Sequence, residues 1–341
     1  MSNIIIFYFS IVVLCFVSCE EIQTDSIHDM PIIKLTAVNT NIKDVVFRYP
    51  FRARLNDSIL YIMDLHGQEY YVNAFTYPKL KYIKSFGKKG IGPEELLDSE
   101  NIRFDNQNNL WILDANRKKL ICFTDSGQRE ILLSKSLIRT LDFDFYKDSL
   151  FIVPDYTGNY RYSIVNSQGK IIENRSCIPV KKKNKRKSNI ALAQAWRSFI
   201  DYNPENGILA MVTQLGEVIE IYDVKNDKII NTYYGNSGEP VYRNSEGMAI
   251  PDGIMGYSDI HVGSKYIYAL FWGQKMSDIR QGKIKYEGGD QIHVFDLNGN
   301  PIKTFKLERY ITGFEIDEKN QIILALDVNS NQPLIKYNIQ L

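Results

Sequence analysis

Six times along the chain, an extended apolar run enters a turn rich in Asn, Asp, Lys and Gly, and a denser apolar run leaves it. The copies are LNDSILYIMD from Leu55, FDNQNNLWILD from Phe104, FYKDSLFIVPD from Phe145, YNPENGILAMV from Tyr202, VGSKYIYALFW from Val262 and IDEKNQIILALD from Ile316. Their second runs begin at Leu60, Leu110, Leu150, Ile208, Ile267 and Ile323, so the interval varies between 40 and 59 residues. One hairpin cannot bury both of its faces. A long, imperfect series of them covers face against face, which is how a β-propeller reads in sequence.

Each repeat extends past its hairpin. A third run ends in an Asp/Asn/Gly turn, as in CFTDSG, IVNSQG, IYDVKND and VFDLNGN, and a fourth follows in REILLSK, KIIENRS, KIINTYY and PIKTFKL. Such residues make tight turns, so each unit is a four-stranded antiparallel meander. The last copy supplies only LIKYNIQ after IILALDV and lacks a fourth strand, whereas IIKLTAV precedes the first full unit. Pairing residues 32–38 with 334–340 uses both leftovers and removes two exposed edges. The expected fold is therefore all-β: a six-bladed propeller over residues 32–341, its ring closed by the N-terminal strand joining the last blade.

A ring of repeats can use all 341 residues as one domain. The many Tyr (22) suit pleated, half-buried surfaces. A formal net charge of +1 provides no global attraction to nucleic acid or to a membrane surface. At the N-terminus, residues 4–18 are apolar except for Ser10 and Ser18 and stop at Cys19. The run is too short for a comfortable span of about 20 residues but suits the apolar region of a signal peptide. FVSC resembles a bacterial lipobox, which makes 1–18 a signal peptide, Cys19 the lipidated residue and 19–31 a tether. An uncleaved anchor and a cleaved, non-lipidated signal are the other readings. Beyond Cys15 and Cys19 only Cys122 and Cys177 remain, in separate repeats, which is no disulfide framework. Cys122, in LICF, reads as a small buried hydrophobe.

The stretch IKSFGKKGIGPEELL followed by NIRFDNQNNLWILDANRKKLICFTDSG resembles an NHL repeat, with Asp114, Asn116, Lys119, Leu120 and Phe123 in place of its D…N…R-I…F run. The match is good for one blade and loose for the others. With the lipobox and six divergent blades, the chain resembles the six-bladed, TolB-like propeller lipoproteins of Bacteroidota. That resemblance implies an exported, non-enzymatic propeller in the cell envelope, an outer-membrane lipoprotein whose membrane contact is its lipid anchor.

Function tends to sit on loops. In a propeller, the loops leading into each innermost strand and those between second and third strands share one face around the channel. Here the loops at 87–99, 179–195 and 235–256 are long, and the fifth blade adds WGQKMSDIRQGKIKYEGGDQ. Arg52, Arg139, Trp196, Arg197, Tyr257, Asp259 and Tyr310 stand near the starts of innermost strands. On that face they would suit an anionic, peptide-like or sugar-like partner; the alternative is that several fill the channel mouth or pack between blades. GKKGIGPEE lacks the spacing and the Lys-Ser/Thr of a phosphate loop, and a strand follows it. It reads as a crossover between blades. The basic run KKKNKRK at 181–187 reads as a solvated loop, since an exported protein rarely meets nucleic acid. Asp64, Asp114, Asp155 and Asp327 recur at second-strand ends, where Asp caps turns. No nucleophile motif appears.

The expected function is a binding or interaction module for an envelope protein, a peptide or a glycan, with no cofactor. The alternative is a metal-dependent lyase or lactonase at the central channel, which would require His66 and His261, or several Asp and Glu, to converge within coordination reach.

Overall fold

A computed structural model describes residues 30–147, 149–180 and 188–340. The proposed signal peptide, Cys19, most of the tether and the basic run 181–187 lie outside them. Six sheets form the blades, each with four antiparallel strands, and the fifth blade carries one further, parallel strand. The first comprises Pro50–Asn56, Ile59–Asp64, Tyr70–Thr76 and Tyr82–Lys88. The next three run from Ser99–Phe104 to Gly127–Leu132, from Asp144–Lys147 to Ile171–Arg175, and from Ser198–Asn203 to Lys228–Tyr234. The fifth runs from Tyr257–Val262 to Pro301–Ile311. The sixth holds Gly313–Asp317, Ile322–Leu326 and Leu334–Asn338.

The hairpin turns follow from their residues. Asp57, Asn108 and Gln321 sit at positive φ (52, 63 and 56°), the left-handed turn conformation that lets a short hairpin loop reverse the chain. In the second blade the Asp105 carboxylate accepts from the amides of Gln107 and Asn109 and from the Trp111 indole, fixing turn and strand together. The core lies between blades. Trp111 of blade two meets Phe145 and Phe151 of blade three edge-on, with both ring centroids 5.7 Å away. Cys122 is buried there, as expected of a small hydrophobe.

The ring closes through the N-terminal segment, in a form that divides the expected pairing. Val38 and Asn39 pair antiparallel with Lys336 and Ile335 and complete blade six. Thr40 adds bonds from its hydroxyl and amide to the Leu334 carbonyl (2.6 and 3.3 Å). Ile32–Leu35 instead runs parallel to Thr304–Leu307 as a fifth strand on blade five. The burial of Leu35 against the group that holds Phe305 and Leu307 explains the choice. One short segment thus clamps the last two blades.

The long loops fold back on the body. Ser188 caps the helix Asn189–Ala195 through the Ala191 amide. The hairpin Tyr242–Ser245/Met248–Pro251 packs beside it, joined by Ser188 Oγ to Gly247 O (2.6 Å) and Ala249 N to Gln194 Oε1 (2.8 Å).

Deleting residues 30–40 removes Leu35 from the core and bares the edge at Leu334–Asn338. The expected result is a melting temperature lower by roughly 5 °C or more. Size-exclusion chromatography should show edge-driven self-association. Unchanged melting and a monomeric profile would dissociate this segment from closure.

Candidate functional site

Each innermost strand is an edge, and its outward amides and carbonyls face the channel with no strand to pair them. Acidic side chains of the neighbouring blade supply the acceptors. Asp142 takes the amides of Phe143 and Ile200 on its two oxygens (2.8 and 2.9 Å), and Asp144 takes those of Phe145 and Tyr202 (2.8 and 2.9 Å). Asp259 takes Ile260 and Phe314 (3.0 and 3.1 Å), and Glu315 takes Ile316 and Leu55 (2.7 and 3.0 Å). Asp201 takes Val262 alone (2.6 Å). Arginines serve the carbonyls: Arg103 Nε donates to Phe143 O (2.9 Å), and Arg54 Nη1 donates to Ala53 O and Phe314 O (2.8 and 3.3 Å).

These charges are buried as pairs. Arg54 lies 3.0 Å from Asp259, Arg103 lies 3.2 Å from Asp142 and 3.3 Å from Asp144, and Arg52 lies 3.6 Å from Asp259. Burial raises the Asp259 carboxyl, but Arg52 and Arg54 outweigh it and hold the group below the ordinary range. Arg52 is fully enclosed, its guanidinium 3.8 and 4.4 Å from the ring centroids of Phe51 and Phe199. Burial lowers its pKa to about 10 despite Asp259.

The seven residues picked from sequence therefore separate. Arg52 and Asp259 meet inside the channel. Trp196 is buried at the end of the 189–195 helix, and its carbonyl accepts from Arg161 Nη1 (2.9 Å). Tyr257 is buried in blade five, 3.1 Å from His293 Nδ1. Arg139 is half-exposed and pairs with Asp98 (2.7 Å) and Glu100. Arg197 stands over the Tyr156 ring at 5.8 Å. Tyr310 reaches an open surface.

That surface is a groove of about 710 Å³ on blades five and six, on the face of the incoming loops. Tyr286, from the insertion in blade five, stacks on Tyr310 at 5.6 Å and 22°. Arg309, Asp327 and the segment 329–332 complete the walls. The groove is pinned. Asn329 and Glu287 exchange two bonds, Glu287 N to Asn329 Oδ1 and Asn329 Nδ2 to Glu287 O, both 2.9 Å. Gln274 holds the carbonyls of Tyr286 and Gly288 (3.1 and 3.2 Å). Aromatic faces beside amide and acid groups suit stacking and polar contact with a ring-bearing or peptide-like ligand.

Other sequence features resolve as structure. In GKKGIGPEE, Glu95 accepts from Gly92 N and Lys88 Nζ while Arg117 donates to the carbonyls of Gly90, Gly92 and Glu95, so the loop is a braced crossover. Asp64, Asp114, Asp155 and Asp327 cap turns through the amides of His66, Arg117, Thr157 and Asn329. His66 packs edge-on against Tyr49 beyond the end of its second strand. His261 stands near the end of an innermost strand, 3.1 Å from Glu315, at the other end of the channel. Among the described residues, no three or more His, Cys, Asp or Glu are grouped to hold a metal ion.

A family model described as TolB-like 6-blade propeller-like matches residues 31–319. A Bacteroides vulgatus member of the DUF4221 family is 12% identical, with 90% of this chain and 98% of that one covered and a TM-score of 0.59. A protein described as exported, from Bacteroides fragilis, is 13% identical with the same coverage and a TM-score of 0.58. An auxiliary nutrient binding protein from Bacteroides ovatus is 12% identical, covering 87% and 70%, with a TM-score of 0.54. These likenesses show the fold. No curated protein matches the sequence.

The Tyr257–His293 pair yields a pH signature. Burial drives the His293 pKa down to about 3, well below its ordinary value of 6.5. The unfolded chain then binds the extra proton, so stability from this group is full above about pH 6.5 and is lost as pH falls towards 3. Replacing His293 by Phe should destabilise at pH 7.5, and the gap to the natural protein should shrink by about 1.4 kcal/mol per pH unit below 6.5. Chemical denaturation at a series of pH values measures it; a constant gap would mean that His293 does not stay neutral.

Proposed function

The chain belongs to the TolB-like six-blade propeller family, and we propose that it is a lipid-anchored binding module of the cell envelope. Its recognition surface is the groove on blades five and six. The observation that carries this reading is the Tyr286–Tyr310 stack beside the reciprocally bonded Glu287 and Asn329, which gives a preformed aromatic wall with polar groups around it. A preformed groove loses little freedom when it is filled. A glycan would stack on the tyrosines and bond to Asn329, Gln332 and Asp327; a peptide or an envelope protein would use the same wall for an apolar side chain.

The exported description of the Bacteroides fragilis relative supports an envelope location, and the nutrient-binding description of the Bacteroides ovatus protein supports a binding role. Anchoring rests on Cys19 at the end of the apolar run. The anchor is the sole membrane contact in this reading: the described residues contain no helix long and apolar enough to cross a membrane.

Changing Tyr286 and Tyr310 together to Ala should cost ~2 kcal/mol of binding, roughly thirtyfold in Kd, because both stacking faces go. Co-purification from native membranes, followed by affinity measurement with the recovered partner or glycan, measures the loss. The same partners captured equally by the double variant would move recognition elsewhere. Cys19→Ser should release the protein from the membrane fraction on cell lysis and abolish incorporation of labelled fatty acid. Retention with label would place the lipid on another residue.

A further inference from the structure

The end of the channel opposite the incoming loops opens into a cavity of about 340 Å³. It lies at the low end of the roughly 300–1,000 Å³ usual for small-molecule sites. Its outer wall is apolar, built from Leu55, Phe104, Phe145, Tyr202 and Pro204. Its floor is charged, with Arg54 and Arg103 facing Asp144, Asp201 and Glu315.

Two departures from the bonding pattern of the ring meet here. Asp142, Asp144, Asp259 and Glu315 each use both carboxylate oxygens on backbone amides. Asp201 uses only Oδ2, on Val262 N; among the described residues its Oδ1 accepts no hydrogen bond, and Arg103 Nη1 stands 3.6 Å away, beyond hydrogen-bond range. Arg103 Nη1 and Arg54 Nε are buried without a hydrogen-bond acceptor, on side chains only 5% and 9% exposed. A buried guanidinium N–H left unpaired is costly, so an acceptor that reached these two donors would gain a charge-assisted bond that no protein group supplies. The opposite demand stands beside it. Burial, opposed by Arg103 but assisted by the Asp201 charge, pushes the Asp144 carboxyl up to about 7, and a cation between Asp144 and Asp201 would relieve that repulsion.

We propose that this lower mouth binds a free α-amino acid with an apolar or aromatic side chain. Its carboxylate bonds to the unpaired N–H groups of Arg54 and Arg103, its ammonium to Asp201 Oδ1, and its side chain lies against Phe104, Phe145 and Tyr202. Both charges of the ligand are required, because the floor is of mixed sign. An anion alone would face Asp201, and a cation alone would face two arginines.

The test is isothermal titration of the mature, detergent-solubilised protein with L-phenylalanine and L-leucine, beside N-acetyl-L-phenylalanine, L-phenylalaninamide and 3-phenylpropionate. The free amino acids should bind at or below about 1 mM, and each compound lacking one charge at least about tenfold more weakly. Asp201→Asn should weaken L-phenylalanine and strengthen 3-phenylpropionate, whose carboxylate no longer faces a like charge. The Tyr286/Tyr310 double variant, altered on the opposite face, should bind L-phenylalanine as the natural protein does. No heat from the free amino acids at about 10 mM, or equal binding of the N-acetyl form, overturns the proposal. The ligand series on the natural protein decides the matter even if the Asp201 variant fails to fold.

Discussion

The innermost strand of every blade is an unpaired edge inside the molecule, and the way that edge is satisfied governs the rest of this structure. An exposed edge bonds to water; these strands face the centre of the ring, where no further strand pairs with them. Asp142, Asp144, Asp201, Asp259 and Glu315 replace the missing strand, each reaching across to an amide of the following blade. They cover the joins from blade three round to blade one. Between blades two and three the work passes to Asn101, which donates to Asp142 (2.7 Å), and to Arg103. Carboxylates cannot enter such a space alone. Arg52, Arg54 and Arg103 therefore follow from the acids, and the ion pairs are the consequence of edge satisfaction rather than an independent source of stability.

That arrangement also brings large side chains into the centre of the ring. Arg52, held between the rings of Phe51 and Phe199 and against Asp259, fills the middle of the ring. What remains open is the surface at each end. On one side the groove uses loops from blades five and six; on the other, the lower mouth uses the last residues of innermost strands. Most of the charges between the two ends are committed to one another, but Nε and Nη2 of Arg52, Nε of Arg54 and Nη1 of Arg103 are buried without an acceptor.

The architecture was legible because its signals are local. Turn residues stand a few positions from the runs they connect, and Asp57 and Asn108 take the conformation their type favours. The closed ring followed from counting strands, and the family from the resemblance of the repeats and the N-terminal motif. The channel was not legible, although its residues alternate openly in FRARLN, DFDFYK, SDIHV and GFEID. Alternation divides a strand into two faces but does not say which one meets water, and charged residues at every second place read as a solvent face. Trp196 and Tyr257 failed as surface residues for a different reason. Returning loops at 189–195 and 242–251 and the neighbouring sheet cover them, through contacts between residues distant in sequence. Tyr310 was found from its place before an innermost strand, but its partner Tyr286 is fixed only by the fold of the insertion.

Rigidity connects these observations to recognition. Arg309 and Tyr310 come just before Gly313–Asp317, the innermost strand of blade six. A Cβ on Gly313 would fall 2.1 Å from the Phe51 carbonyl oxygen, so that strand lies against blade one with no room to slide. Phe314 N is held by Asp259 and Glu315 is bonded to Leu55 N, which ties the same strand to both neighbours. The base of the groove therefore cannot move without breaking the ring, and its outer wall is pinned by Asn329 and Glu287. A groove held in this way would select by shape before contact, and its affinity would come from what fills it rather than from what the protein rearranges.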